Sequence, residues 1–517
     1  MSRWFNTAGP CNPAKHYMLP SMDRLPSIKR LIEQDGYFVV HAPRQTGKTT
    51  AMLTLAQELT NEGEYAALIV SVEVGAAYAQ TDAQSRESAD TVILRAWKDA
   101  ATFWLPSDLH PPDWSSLHSI GQALSLWARE SSKPIVLFID EIDSLQDDTL
   151  LSVLRQLRDG YPRRPGAFPK SLALIGLRDV RDYKVASGGS KRLGTASPFN
   201  IKVESLTLRN FTQAEVATLY HQHTADTGQF FTPAAVEKAY GLTQGQPWLV
   251  NALARQMVEQ LAPDPATALT VEHVNQAKEI LIQRQDTHLD SLAARLREPR
   301  IRAIIEPMLA GQELESVSNE DIEFVLDLGL CVKSPQGGLV IANPIYKEVL
   351  PRVLSVVPMA SLPQIAPTWL TPEGKLDSEA LLTAFLQFWR RHGDPLLKSA
   401  PYHEIAPHLV MMAFLHRVVN GGGTLDREYA LGAGRMDLCL RYGQETVAIE
   451  LKVWRDGRPD PLIRGLEQLD GYLGKLGLGT GWLVIFDRRE QIPPIEERIT
   501  TELRETLKGR SVVVVRG

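Results

Sequence analysis

The stretch Gly36-Tyr-Phe-Val-Val-His41, Ala42-Pro-Arg-Gln-Thr-Gly-Lys-Thr49 and Thr50-Ala-Met-Leu-Thr-Leu-Ala constrains the fold more than any other part of the chain. A short apolar strand that enters a helix through a loop bearing glycine and lysine is the setting a phosphate-binding loop requires. It commits the surrounding region to a parallel sheet layered with helices. Ala42, Pro43, Arg44, Gln45, Thr46, Gly47, Lys48, Thr49 and Thr50 form the expected nucleotide-contacting run. Their backbone N–H groups wrap phosphates at the positive end of the helix. Lys48 reaches the terminal phosphates and the Thr49 hydroxyl binds Mg²⁺. Ala42 stands where such loops usually open with glycine, which narrows backbone freedom there.

A second element completes this site. Pro134-Ile-Val-Leu-Phe-Ile-Asp140-Glu141 reads as a buried strand ending in two acids, the Walker B pattern. Asp140 is expected in the Mg²⁺ shell, and Glu141 is placed to orient or deprotonate the attacking water. A further strand, Ser171–Gly176, leads to Arg178 at the place of a phosphate sensor, which is equally an ordinary place for a surface ion pair. Arg155, Arg158, Arg163 and Arg164 are candidates for an arginine donated to a neighbouring subunit, though arginines in such places are usually solvated.

Near the carboxyl end a different chemistry is written. Gly434-Arg-Met-Asp-Leu-Cys-Leu-Arg-Tyr and Glu445-Thr-Val-Ala-Ile-Glu-Leu-Lys452 read as a hairpin turning near Gly443. Alternation along a strand puts Glu450 and Lys452 on one side and Ile449, Leu451 and Val453 on the other. Asp437, Glu450 and Lys452 together suit metal-assisted phosphodiester hydrolysis, the carboxylates holding Mg²⁺ or Mn²⁺ and the lysine offsetting charge on the phosphate. A cross-strand ion pair on a solvated face is the alternative for these three residues alone.

The remaining properties set limits. A chain of 517 residues divides into roughly three or four domains. A formal charge of −6 does not advertise a nucleic-acid binder, so any such surface is local. Three widely spaced cysteines argue against a disulfide framework and fit a reducing cytosol. The amino terminus carries no apolar signal core and no run is long enough for a membrane span, so a cytoplasmic location is expected. Five prolines between Pro351 and Pro372 mark a semi-stiff connector.

Two resemblances organise these signals. Over residues 1–355, Ala42–Thr50, Phe138-Ile-Asp-Glu-Ile-Asp143 and Gly245-Gln-Pro-Trp-Leu-Val250 resemble AAA-like ATPases of the STAND and archaeal-ATPase kind. That resemblance implies a nucleotide-contacting lid segment at Gly245, Gln246 and Pro247, and a base-covering place at Tyr17, unless that ring is simply packed. Over residues 378–517, Asp437…Glu450-Leu-Lys452, with Met436 in the name-giving proline's place, resembles the PD-(D/E)xK nuclease superfamily. It implies a metal-completing acid at Glu404 and nucleic-acid contacts from Gln468 and Tyr472. Glu428 could also face the site, or be a solvated strand acid.

The implied fold is α/β and multidomain: a P-loop ATPase core (1–204), a helical lid (205–284), a winged-helix-like region (285–355), a Pro-rich linker (356–377) and a restriction-endonuclease-like α/β domain (378–517). The implied activity is an ATP-binding and ATP-hydrolysing switch that gates a metal-dependent nuclease, with DNA favoured over RNA and with homo-oligomer formation allowed. Fused ATPase–nuclease proteins imply, by analogy alone, a role in defence or mobile-element biology. The competing expectations are an ATP-dependent regulatory or scaffold protein that binds nucleic acid without cutting it, and a translocating motor with an attached nuclease.

Overall fold

The computed structural model describes residues 3–78, 88–145, 147–178, 201–284, 298–310, 317–351, 367–399, 406–419, 423–429, 436–489 and 493–517, with 289, 292, 294–296 and 314. The chain divides into two compact units, residues 1–284 with 324–333 and residues 285–323 with 334–517.

The first unit is built on five parallel strands, Tyr37–His41 (β1), Ala66–Ser71 (β2), Ile135–Asp140 (β3), Ser171–Gly176 (β4) and Glu204–Thr207 (β5), in the order β2-β3-β4-β1-β5. Strands buried on both faces read as unbroken apolar runs, as Ile135-Val-Leu-Phe-Ile139 does. Alternation then divides each strand between two cores. Tyr37 and Val39 join Leu137 and Ile139 beneath helices Ala89–Trp104 (α3), Ile120–Glu130 (α4) and Asp147–Gly160 (α5). Phe38 and Val40 face the other way, onto Ile28–Glu33 (α1) and Lys48–Asn61 (α2). The result is a three-layer α/β/α body with the strand ends, where the loops sit, along one edge.

After β5 come helices Gln213–Thr227, Pro233–Thr243, Pro247–Gln256 and Val271–Arg284. The first opens on a true capping box. The Thr212 hydroxyl accepts from the Glu215 N–H at 3.2 Å, and the Thr212 N–H donates back to the Glu215 carboxylate at 2.7 Å. The division between units runs through the winged-helix-like segment, which holds helix Asn319–Asp327 and short strands Cys331–Lys333 (β6) and Leu339–Ile341 (β7).

The second unit centres on a six-stranded mixed sheet of Gly423–Tyr429 (β8), Met436–Tyr442 (β9), Glu445–Trp454 (β10), Thr480–Asp487 (β11), Thr500–Glu505 (β12) and Ser511–Arg516 (β13). Its order is β12-β13-β11-β10-β9-β8. Strand β9 runs antiparallel to both β8 and β10, whereas β10, β11 and β13 run parallel. Helix Leu462–Leu476 connects β10 to β11 and buries Leu469, Tyr472 and Leu473 against Ala448, Leu483 and Ile485. The opposite face carries Phe486, whose ring lies 4.8 Å from that of Trp389 on helix Ser378–Ser399. Among the described residues no helix is long and apolar enough to cross a membrane.

Candidate functional site

The loop between β1 and α2 has the backbone that phosphate cradling needs. Gly47, the residue capping α2, has φ +91°, and Gln45 has φ +58°. Both lie in the left-handed region, where glycine alone is at ease. The Thr46 hydroxyl donates to the Pro43 carbonyl at 2.9 Å and stiffens the turn. Lys48 curls over the loop and donates to the carbonyls of Ala42 at 2.7 Å and Pro43 at 2.9 Å. Burial lowers its ammonium from the ordinary 10.5 to about 8, against the opposing pull of Asp140.

The two strand-end acids meet this loop. The Thr49 hydroxyl donates to the Asp140 carboxylate at 2.6 Å, and the Glu141 N–H donates to its other oxygen at 2.9 Å. Burial raises the Asp140 carboxyl, and these hydrogen bonds oppose the shift. Hydroxyl and carboxylate oxygens are the hard donors Mg²⁺ prefers, so Thr49 and Asp140 fit that ion. Glu141 is exposed, has φ +60°, and is steadied by the Ser71 hydroxyl at 2.6 Å. Its charge raises the carboxyl of nearby Glu73. Arg178 is buried at the end of β4, its guanidinium 3.7 Å from the centre of the Phe324 ring. Of the four candidate arginines, Arg163 bonds Asp159 at 2.7 Å, and Arg164 bonds the Asp35 and Tyr161 carbonyls at 2.9 and 2.7 Å. Arg155 and Arg158 are exposed.

The lid segment reaches the loop through the member of the triplet with a polar side chain. Gln246 caps helix Pro247–Gln256 by accepting from the Leu249 N–H at 2.6 Å, and its amide donates to the Gln45 carbonyl at 3.5 Å. Pro247 takes the first helical position, where its missing N–H costs nothing. Gly245 has φ +71°, and a β-carbon there would sit 1.8 Å from the Phe211 carbonyl oxygen. Tyr17 is packed. It is buried between Phe5 and His223, with its hydroxyl 3.2 Å from the His223 Nδ1. Two contacts had no sequence signal because they join distant segments: the Cys11 N–H donates to the Thr50 hydroxyl at 3.0 Å, and Arg24 donates to the Thr46 carbonyl at 3.0 Å.

In the second unit, Glu450 and Lys452 lie on β10, both buried, and the Lys452 ammonium donates to the Glu450 carboxylate. Position 437 on β9 is directly opposite Glu450 in the antiparallel register. Glu450 and Lys452 also pair in parallel with Leu483 and Ile485, which pack under helix Leu462–Leu476. That helix therefore covers the face bearing the acid–lysine pair, and it carries Gln468 and Tyr472. Glu404 lies outside the described residues, and at Asp437 and Glu428 the backbone alone is described. Among the described residues, no three His, Cys, Asp or Glu side chains gather as a metal would need. One residue was missed from the sequence. His408, inside an apolar helix, is fully enclosed with neither ring nitrogen hydrogen-bonded, and burial, then the charges of Lys452 and Arg455, lowers it to about 3.

The match to a known family falls within the first unit. Residues 30–183 match the model of the AAA domain family. No curated protein matches the chain. Among solved structures, the Walker-type ATPase paby2304 of Pyrococcus abyssi is similar at 12% identity and a TM-score of 0.47, over 67% of this chain and 99% of that one. The Aeropyrum pernix ORC2 protein, solved as ADPNP–ADP complexes, is similar at 14% identity and 0.40, over 65% and 93%. The Thermotoga maritima RuvB Holliday junction branch migration motor is similar at 15% identity and 0.34, over 63% and 92%. With its loop, its acid-tipped strand and four parallel strands, the segment 30–183 is an AAA-type P-loop ATPase domain.

Proposed function

We propose that the protein is a nucleotide-controlled switch whose carboxyl-terminal domain is a metal-dependent nuclease acting on DNA. The observation that carries this reading is the buried Glu450–Lys452 pair on β10, with position 437 directly across the ladder. Directly opposite positions in an antiparallel pair share a face of the sheet. The acid and lysine of β10 lie on the face covered by the helix of Gln468 and Tyr472. Asp437, Glu450 and Glu404 would hold Mg²⁺ or Mn²⁺, whose oxygen preference their carboxylates match. When bound, the metal activates water and polarises the phosphate. Lys452 offsets the charge that builds on the phosphate, and Gln468 and Tyr472 contact the strand.

On the rim beyond Lys452, Trp454 carries the guanidinium of Arg489 at 3.6 Å and of Arg516 at 5.5 Å, each also ion-paired, with Asp487 and with Asp460. In the first unit, the run Ala42–Thr50 would bind ATP, with Arg178, Gly245 and Pro247 beside it, Thr49 and Asp140 on Mg²⁺, and Glu141 acting on water. The working domain assignment is core 1–204, lid 205–284, winged-helix-like region 285–355, linker 356–377 and nuclease-like domain 378–517, with self-association as a further element of control.

The mutual satisfaction of Glu450 and Lys452 favours a second reading, since a purely structural buried ion pair would do the same. In that case the domain binds nucleic acid without cutting it. Supercoiled plasmid incubated with Mg²⁺ or Mn²⁺, with and without ATP, separates the two. Divalent-dependent nicking supports the nuclease, and plasmid bound but intact under every condition selects the second reading.

A further inference from the structure

Arg24 closes the short turn Ser21–Arg24 ahead of α1 and is buried beneath the nucleotide loop, only 6% exposed. A guanidinium removed from water is retained only where its donors are engaged, and here they engage main-chain oxygens. Nη2 donates to the Thr46 carbonyl at 3.0 Å and also to the Arg209 carbonyl, and Nε donates to Arg209 at 2.9 Å. The Phe211 ring lies 4.9 Å from its guanidinium carbon.

Each end of this bridge has a consequence. In a planar trans peptide the carbonyl and the following N–H point opposite ways. By drawing the Thr46 carbonyl toward itself, Arg24 turns the Gly47 N–H to the other side of the loop, where amides collect phosphate. At its other end it grips the chain that enters the lid. The Phe211 N–H donates to the Gly245 carbonyl at 2.9 Å, and Gln246 returns to the Gln45 carbonyl at 3.5 Å. Contacts thus run in a ring from the loop through Arg24 to residues 209–211, on to 245–246, and back to the loop.

We propose that Arg24 is a positioning residue for nucleotide binding, setting the Thr46–Gly47 peptide and tying it to the lid entrance so that phosphate at the loop is felt at Gly245 and Gln246. The proposal rests on the reading of Ala42–Thr49 as the phosphate loop.

The test uses the full chain and four proteins: wild type, Arg24→Met, Arg24→Lys and Lys48→Ala. ATP and ADP affinities are measured by calorimetry, and lid order by limited proteolysis with and without Mg-ATP. Arg24→Met is expected to weaken ATP about tenfold and to abolish nucleotide-dependent protection of the lid. Arg24→Lys, which lacks the planar fork and the Nε donor to the Arg209 carbonyl, is expected to keep the fold and lose the same protection. A folded Arg24→Met with wild-type affinity and protection overturns the proposal. If Arg24→Met does not fold, Arg24→Lys decides by the same two readouts. Wild-type ATP binding by Lys48→Ala would instead overturn the loop reading itself.

Discussion

Two lysines sit beside carboxylates borne on strands in this protein, and the sequence builds them in opposite ways. Lys48 opens α2 within a continuous run of nine residues and satisfies itself on that run's own carbonyls, at 2.7 and 2.9 Å. Lys452 belongs to a strand and is paired with Glu450, two residues away on the same face. On the reading proposed above, the first lysine would exchange its carbonyl partners for phosphate, because carbonyls are weaker partners than an anion. The second arrangement holds an ammonium by a full charge, which on the proposed reading would be shared with a metal. The loop is thus a binding device complete within one stretch of chain, whereas the strand site depends on the register between β9 and β10.

Four changes test this contrast, from the largest effect to the smallest. Glu141→Gln should slow ATP hydrolysis at least about hundredfold while Mg-ATP still binds, because it removes the group acting on water and leaves the loop whole. Steady-state phosphate release beside a binding titration checks it, and unchanged turnover removes Glu141 from that role. Gly245→Ala should destabilise the first unit by about 3 kcal/mol, since a β-carbon meets the Phe211 carbonyl and the φ of +71° suits glycine. Urea unfolding followed by tryptophan fluorescence measures it, and a shift within error would break the link between lid and loop.

The third change is in pH. Burial lowers Lys48 to about 8, and bound phosphate restores its proton. ATP affinity should therefore be flat below neutral pH and weaken by up to about tenfold per unit above pH 8. The sign for the nucleotide-free fold is opposite. The unfolded lysine, at 10.5, binds more protons than the folded one between pH 8 and 10.5, so this group's contribution to stability rises with pH there. Calorimetry at pH 8 in buffers of different ionisation enthalpy should reveal uptake of about half a proton on ATP binding. Zero uptake would mean that the lysine is not desolvated. Thr212→Ala, at the head of the lid, should cost about 1 kcal/mol in the same urea experiment, through the lost cap alone.

The legibility of each region follows from how local its information is. Strand β1, the loop and α2 lie in one uninterrupted window, so apolar run, glycine and lysine could be read together. Asp140 was found because β3 is apolar throughout and ends abruptly in acid. The capping box at Thr212 is likewise local. Strand β12 was not found: at the edge of its sheet, Thr500-Thr-Glu-Leu-Arg-Glu505 is almost wholly exposed and lacks the alternation that marks a half-buried strand. Arg24 was not found because its partners, Thr46 and Arg209, are 22 and 185 residues away. His408 was hidden by Leu409, Val410 and Met411, which make its helix read as core alone. Tyr17, matched by resemblance to a base-covering place, is packed against Phe5 and His223.

The most direct measurement is Mg²⁺-dependent plasmid nicking by Lys452→Ala beside the wild type, with ATP affinity determined on the same preparations. The account predicts nicking reduced at least about hundredfold in the variant, with ATP binding unaltered. Nicking at the wild-type rate by folded Lys452→Ala would contradict it.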